Sequence, residues 1–259
     1  MERTVHAAAS QAGDSPVVEK GARLGFAASG LLHLLIAWVI LRLAWGLPGG
    51  GQADQQGALS TLAGSGVGSF LLWLTVIGFA FLALWQVTEA LVRGRAGDRL
   101  KAAGKAAVYG ALAWTAYTVV NGSGSGGGES GGPTATLMST TGGRLLFAAL
   151  GLTVVGVGVY HVVKGWRSRF LRDLREHPGT WTIRAGRVGY IAKGIALLLV
   201  GGFLVSAAAT SRSDQAKGLD GALRTVAELP LGALLLTLAA VGFAAYGAYS
   251  FARARFGRV

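Results

Sequence analysis

The sequence predicts an all-α membrane protein: six transmembrane helices in three tandem two-helix repeats, a bundle with pseudo-threefold symmetry, and both termini in the cytoplasm. Three observations carry this expectation. Of 259 residues, 52% are hydrophobic and only 14% charged, whereas charged residues make up about a quarter of a soluble domain. The charges collect in short clusters between long runs that hold almost none. The apolar runs also repeat one another in sequence.

Taken in order, the spans are Leu24 to Gly46, Val67 to Val92, Ala106 to Val120, Leu145 to Val163, Val188 to Ala209 and Leu231 to Ala252. Crossing about 30 Å of hydrocarbon as a helix takes roughly 20 residues, which all but the third satisfy comfortably. The third, "AAVYGALAWTAYTVV", is short and alanine-rich. Pro16, Pro48, Pro133, Pro178 and Pro230 all fall outside these spans, so each helix can satisfy its own backbone in lipid.

A net charge of +12 in a soluble chain would point to nucleic acid; here its distribution gives topology instead. Arg3, Lys20, Arg23, the cluster 93–105, the cluster 164–187 and the cluster 253–258 fall on one side of the six spans. The other side has only Arg144, Arg212, Lys217 and Arg224. By the positive-inside rule the first side is cytoplasmic, and the excess charge attracts anionic lipid headgroups. The expected location is the plasma membrane. No nucleic-acid partner is expected. With no cysteine in the chain, disulfides and thiolate metal sites are excluded. The first apolar run is too long for a cleaved signal and reads as a retained helix. Asn121-Gly122-Ser123 matches a glycosylation sequon on the outer side.

Aligned against itself, Arg23–Glu89 matches Arg187–Arg253 without a gap. Gly25 pairs with Gly189, Gly30 with Gly194, Gly57 with Gly221, Gly68 with Gly232 and Gly78 with Gly242. A more worn middle copy puts Gly110, Gly143 and Gly158 at the positions of Gly30, Gly68 and Gly247. Such self-similarity marks one structural unit used three times. Gly30, Gly110, Gly194, Gly78, Gly158, Gly242 and Gly247 read as packing positions where helix backbones approach closely. The openings "RLGFAASG" and "RVGYIAKG", the middle Tyr109-Gly110 and the triple repetition resemble bacterial membrane proteins of the domain of unknown function 1206 family, over Ala22 to Arg255. That resemblance implies fold and location; it implies no activity, cofactor or catalytic residue.

The resulting organisation is a polar cytoplasmic tail over 1–21, repeats over 22–93, 94–165 and 184–255, a basic inner loop over 166–183 and a short tail over 256–259. Outer loop two, "NGSGSGGGESGGPTAT", reads as a flexible tether. Outer loops one and three contain "GALSTLAG" and "GLDGALRTVAELP", where apolar residues at helical spacing predict short interfacial helices. The inner loop puts Trp166, Phe170 and Leu174 on one face of a further interfacial helix, or of a docking surface for a protein partner.

Few polar residues fall inside the spans: His33, Gln86, Glu89, His161 and Lys193, with Arg42 near an end. Ionisable groups at membrane depth are functional suspects because their burial is costly. Their plainer readings are that Lys193 snorkels, Glu89 pairs with Arg93 one turn on, and His33, near the bilayer centre, donates to a neighbouring helix. The repeat arranges the set into rings: Ser29, Tyr109 and Lys193; Gln86, His161 and Ser250; Glu89, Lys164 and Arg253. Lining a cytoplasmic-facing vestibule, these rings would let Glu89 and Lys193 approach. No catalytic constellation, metal site or cofactor motif is apparent. The function that fits this set is a non-catalytic scaffold, sensor or stress-related membrane protein, with a small-solute or ion permease as the alternative; oligomeric state is not legible.

Overall fold

The computed structural model describes residues 16–47, 52–63, 66–92, 95–121, 140–175, 179–210 and 218–258. Those residues form helices α1 (Pro16–Ala44), α2 (Gln55–Ser60), α3 (Gly66–Val92), α4 (Ala96–Val120), α5 (Thr141–Trp166), α6 (Gly179–Thr210), α7 (Leu219–Ala227) and α8 (Gly232–Phe256), with a 3-10 turn at Arg169–Asp173. Five helices, α1, α3, α5, α6 and α8, are long and apolar enough to cross a membrane. The chain is therefore a multi-pass membrane protein. The segment expected to be the third span forms α4, longer than its apolar part because Asp98, Arg99, Lys101 and Lys105 join its first turns.

Local chemistry explains the helix ends. Pro16 opens α1 at a position where its missing N–H costs nothing, so the residues 16–21 expected in a polar tail are helical. Gly46, with φ +59, ends α1: its own N–H reaches the Leu43 carbonyl at 3.4 Å and the Leu47 N–H reaches Arg42 at 3.0 Å, a Schellman closure. The Thr140 hydroxyl caps α5 by accepting from the Gly143 N–H at 3.0 Å. At the other end of the bundle the Arg23 side chain donates to the Ala254 and Arg255 carbonyls. A cation there satisfies the exposed end of α8 and ties the first helix to the last.

The long helices pack in the order α4–α3–α1–α8–α6–α5, and the tightest contacts are α5 with α6, α8 with α1 and α3 with α4. Each of those pairs joins the second helix of one repeat to the first helix of the next, with α8 returning to α1. Glycines make the approach possible. A Cβ on Gly158 would lie 2.9 Å from the Gly194 carbonyl oxygen, and one on Gly247 would lie 2.9 Å from that of Gly30. Within repeats, Gly78 meets the Gly25 backbone and Gly242 meets Ala192. Gly110 departs from its sisters: nothing lies within 4 Å of its missing side chain. Its counterpart on α3 is Ala83, and α5 packs on α6 rather than on α4.

The half of the bundle away from the chain termini is apolar, with Leu32, Ile36, Ile40, Leu72, Phe79, Leu82, Leu236 and Phe243 buried in one core. The expected short helices of outer loops one and three exist as α2 and α7, and they close this end. Leu59 and Leu223 are buried, and the Ala53 N–H donates to the Asp220 carboxylate at 2.7 Å. Asp54 caps α2 through the Gly57 N–H. Burial pushes its carboxyl above the usual range, against the pull of that N–H, and the neighbouring Asp220 charge adds to the push.

The inner loop differs from expectation. Trp166 ends α5 and is exposed, whereas Phe170 and Leu174 are buried, so the three do not share the face of an interfacial helix. The Tyr249 hydroxyl donates to the Phe170 carbonyl at 3.2 Å. The Arg175 N–H donates to the Phe256 carbonyl at 2.7 Å and the Arg258 N–H to that of Asp173 at 2.9 Å, and Leu174 forms a bridge with Gly257. With its carbonyls satisfied by the end of the chain, the segment can fold into the bundle as a plug. The tether, Arg93 and the sequon's Gly122 and Ser123 lie outside the described residues.

A bulky residue at a glycine crossing must separate two backbones, at a cost of about 1–3 kcal/mol. Gly247→Leu is expected to lower the thermal midpoint of the detergent-solubilised protein clearly. Gly110→Ala should leave it unchanged or raise it slightly, since alanine is the better helix former by about 1 kcal/mol.

Candidate functional site in the bundle interior

Polar side chains gather in the half of the bundle nearer the termini, on the inner faces of α1, α6 and α8. His33 is only 6% exposed. Its Nδ1 lies 2.7 Å from the Ser29 carbonyl one turn earlier, so that nitrogen donates and Nε2 is left as the acceptor. The acceptor is used: Lys193 Nζ stands 3.2 Å from it. The ammonium also lies 4.3 Å from the centroid of the Tyr246 ring, a cation–π contact, and Tyr246 itself packs on His33 with centroids 4.5 Å apart. Lys193 thus neither snorkels to the surface nor pairs with Glu89. It turns across the bundle to histidine, and His33 donates within its own helix while accepting from a neighbour.

Two turns further along α8, Arg253 also turns inward. Its guanidinium carbon lies 4.2 Å from the Phe26 ring centroid, and its Nε is buried with no hydrogen-bond acceptor. The Lys193 and Arg253 charges lie within electrostatic reach of each other.

An aromatic floor lies below them. Tyr190 stands over Phe170 at 5.4 Å, Tyr246 at 5.2 Å and Tyr249 at 5.4 Å, centroid to centroid. Beside it Lys164 makes a 2.6 Å ion pair with Asp173 and lies over the Tyr190 ring at 5.1 Å, so this cation is neutralised. His161 is half-buried; its Nδ1 donates to the Val157 carbonyl at 2.8 Å and its ring packs on Tyr190. Ser250 is buried but spends its hydroxyl on the Tyr246 carbonyl at 2.9 Å. Gln86 is buried on α3, 4% exposed. Glu89 is half-buried on α3 and has a polar partner. Tyr109, half-buried on α4, stacks on Phe79 at 6.2 Å and lies within electrostatic reach of Lys193 and Arg253.

Of the residues singled out in the sequence, His33 and Lys193 are brought into contact, His161 joins the aromatic floor, and Gln86 and Glu89 stay on α3. Arg253, Tyr246, Tyr190 and Tyr249 carry more of the site than the sequence indicated. Arg253 sits in a basic cluster at a helix end and reads as a topology marker. Its alignment with Glu89 and Lys164 was the one signal that set it apart.

Fold and site together define a multi-pass helical membrane protein of tandem two-helix units with a cationic, tyrosine-lined interior. The chain belongs to the family described as Domain of Unknown Function (DUF1206), whose profile matches it three times, over residues 24–93, 100–168 and 188–257. A relative, the uncharacterized protein YxxB of Bacillus subtilis (strain 168), is 30% identical over 248 residues, covering 91% of this chain and 90% of its own. No solved structure matches the chain.

Removing His33 leaves the Lys193 ammonium without its acceptor, at a cost of about 1–3 kcal/mol. His33→Ala should therefore destabilise the protein more in the wild-type background than in Lys193→Met. A double-mutant cycle of thermal midpoints reads the difference as a coupling between the two residues.

Proposed function

We propose that the protein is a non-catalytic sensor or scaffold of the cytoplasmic membrane, with six spans, both termini in the cytoplasm and a polar interior in the half nearer the termini. The observation that supports this reading is the division of the interior. Apolar packing fills the half closed by α2 and α7, whereas Lys193, Arg253 and the tyrosines occupy the half nearer the termini. A conducting path would need polar groups or water along the whole depth; a binding site reached from one face does not.

The sixth span in this proposal is α4. Its 25 residues rise about 37 Å as a helix, and beyond Lys105 it carries no charge. The crossings of α3 on α4, α5 on α6 and α8 on α1 support a ring with an approximate threefold axis, open where α4 and α5 stand apart. The excess of Lys and Arg at the end holding the termini supports a cytoplasmic assignment for it. Exposed Arg167, Arg169 and Arg172 would meet anionic headgroups, or a protein partner, on that face.

The absence of native cysteine makes the topology directly testable. In intact cells a membrane-impermeant maleimide should label Ser60→Cys, Asn121→Cys and Glu228→Cys. It should reach Ala96→Cys, Thr180→Cys and Arg258→Cys only after permeabilisation. Labelling of Ala96→Cys and Asn121→Cys from the same side would remove α4 as a span. In liposomes the protein should pass no protons or potassium above the empty-vesicle rate; a flux lost in Lys193→Ala would replace the sensor reading with a permease.

A further inference from the structure

We propose that the space between Lys193 and Arg253 binds a phosphate-class oxyanion, either free phosphate or the phosphate of a lipid headgroup. The inference rests on the polar-half reading above and names its ligand.

Its basis is an imbalance of charge. Among the described residues, Lys193 has a neutral imidazole and an aromatic face as its partners. Arg253 has an aromatic face and no acceptor for its Nε. The nearby carboxylate of Asp173, whose charge reaches Arg253, is in contact with Lys164 at 2.6 Å. Two interior cations within electrostatic reach of each other, neither in contact with a carboxylate, are costly in a low-dielectric interior. An arginine at the last turn of a membrane helix could lower that cost by extending to the surface. Arg253 instead lies inward over Phe26.

The geometry specifies the anion's chemistry. A guanidinium presents a planar fork of donors that matches the oxygens of phosphate, and an ammonium adds a compact second charge. Tyr109 and Tyr190, both within electrostatic reach of Arg253, have hydroxyls that can donate to the remaining oxygens. His33 holds the lysine in place: with Nδ1 tied to the Ser29 carbonyl, its lone pair positions Nζ without neutralising it. The packing order leaves the ring open between α4 and α5, a lateral entry for a headgroup.

The test uses the full chain in nanodiscs. In phosphatidylcholine discs, inorganic phosphate titrated against a chloride control should bind saturably and raise the thermal midpoint. Arg253→Gln and Lys193→Gln should each weaken binding by about tenfold or more, the loss for one charge-assisted contact, and Arg253→Lys should retain part of it. If the source is a headgroup, free phosphate will not bind. Native mass spectrometry of protein in discs containing phosphatidylglycerol should then show a retained anionic lipid that both glutamine variants lose. Should those variants fail to fold, the wild-type response to phosphate and to phosphatidylglycerol, each against its neutral control, decides the matter. Wild-type protein that responds to neither, or folded variants that bind either one as well as wild type, would overturn the proposal. Labelling that still places the termini in the cytoplasm would then remove the ligand alone, whereas failed labelling would remove the topology beneath it.

Discussion

The close crossing of helix backbones at paired glycines is the constraint on which the rest of this structure depends. In lipid, helices gain little from burying apolar side chains against one another, because the acyl chains are just as apolar; association rests on van der Waals packing at short range. Gly158 against Gly194 and Gly247 against Gly30 place one helix's carbonyl where the other's side chain would begin. The second crossing also sets the site. Gly30 lies between Phe26 and His33 on α1, and Gly247 lies next to Tyr246 and six residues before Arg253 on α8. Fixing that one contact brings Phe26 under the guanidinium and His33 against the tyrosine ring. Were α1 and α8 held apart by a layer of side chains, neither inward cation would have its aromatic support.

Symmetry of the crossings and asymmetry of the interior belong together. The repeat supplies the same backbone geometry at successive positions, and divergence at aligned positions then places unlike groups at matching depths. Ser29, Tyr109 and Lys193 occupy one such position, and Glu89, Lys164 and Arg253 another. Of the aligned cations, Lys164 is neutralised by Asp173 from the plug segment, whereas Arg253 is not. The plug therefore does two things: it fills the end of the bundle with Phe170 and Leu174, and it quenches one of the interior charges while leaving the others.

Much of the fold was legible because apolar length and glycine spacing are local signals. Five long apolar helices, the triple repeat and the small helices α2 and α7 follow from them. What the sequence did not reveal depends on contacts between distant segments. Trp166, Phe170 and Leu174 have helical spacing, but Tyr249 and the backbone of residues 256–258 offer hydrogen bonds that fold the segment inward instead. Lys193 differs from the aligned Ser29 and Tyr109, yet its partner His33 aligns with no polar residue in the sister copies, so the alignment cannot pair them. The Gly110 position also depends on a distant segment: it matches its sisters in sequence, but the helix it would meet carries Ala83, and the close contact of α3 with α4 does not form at Gly110.

The central claim, that the last helix closes on the first through the same crossing used between the second and third repeats, is tested most directly by disulfide cross-linking of Ala37→Cys with Ala240→Cys, each about two turns along its helix from the Gly30–Gly247 contact. Both positions line one groove between α1 and α8. In membranes, mild oxidation should join them within a single chain, rapidly and without change in the monomer band of the unreduced gel beyond a small mobility shift. No cross-link, or one that forms only between chains, would contradict the account.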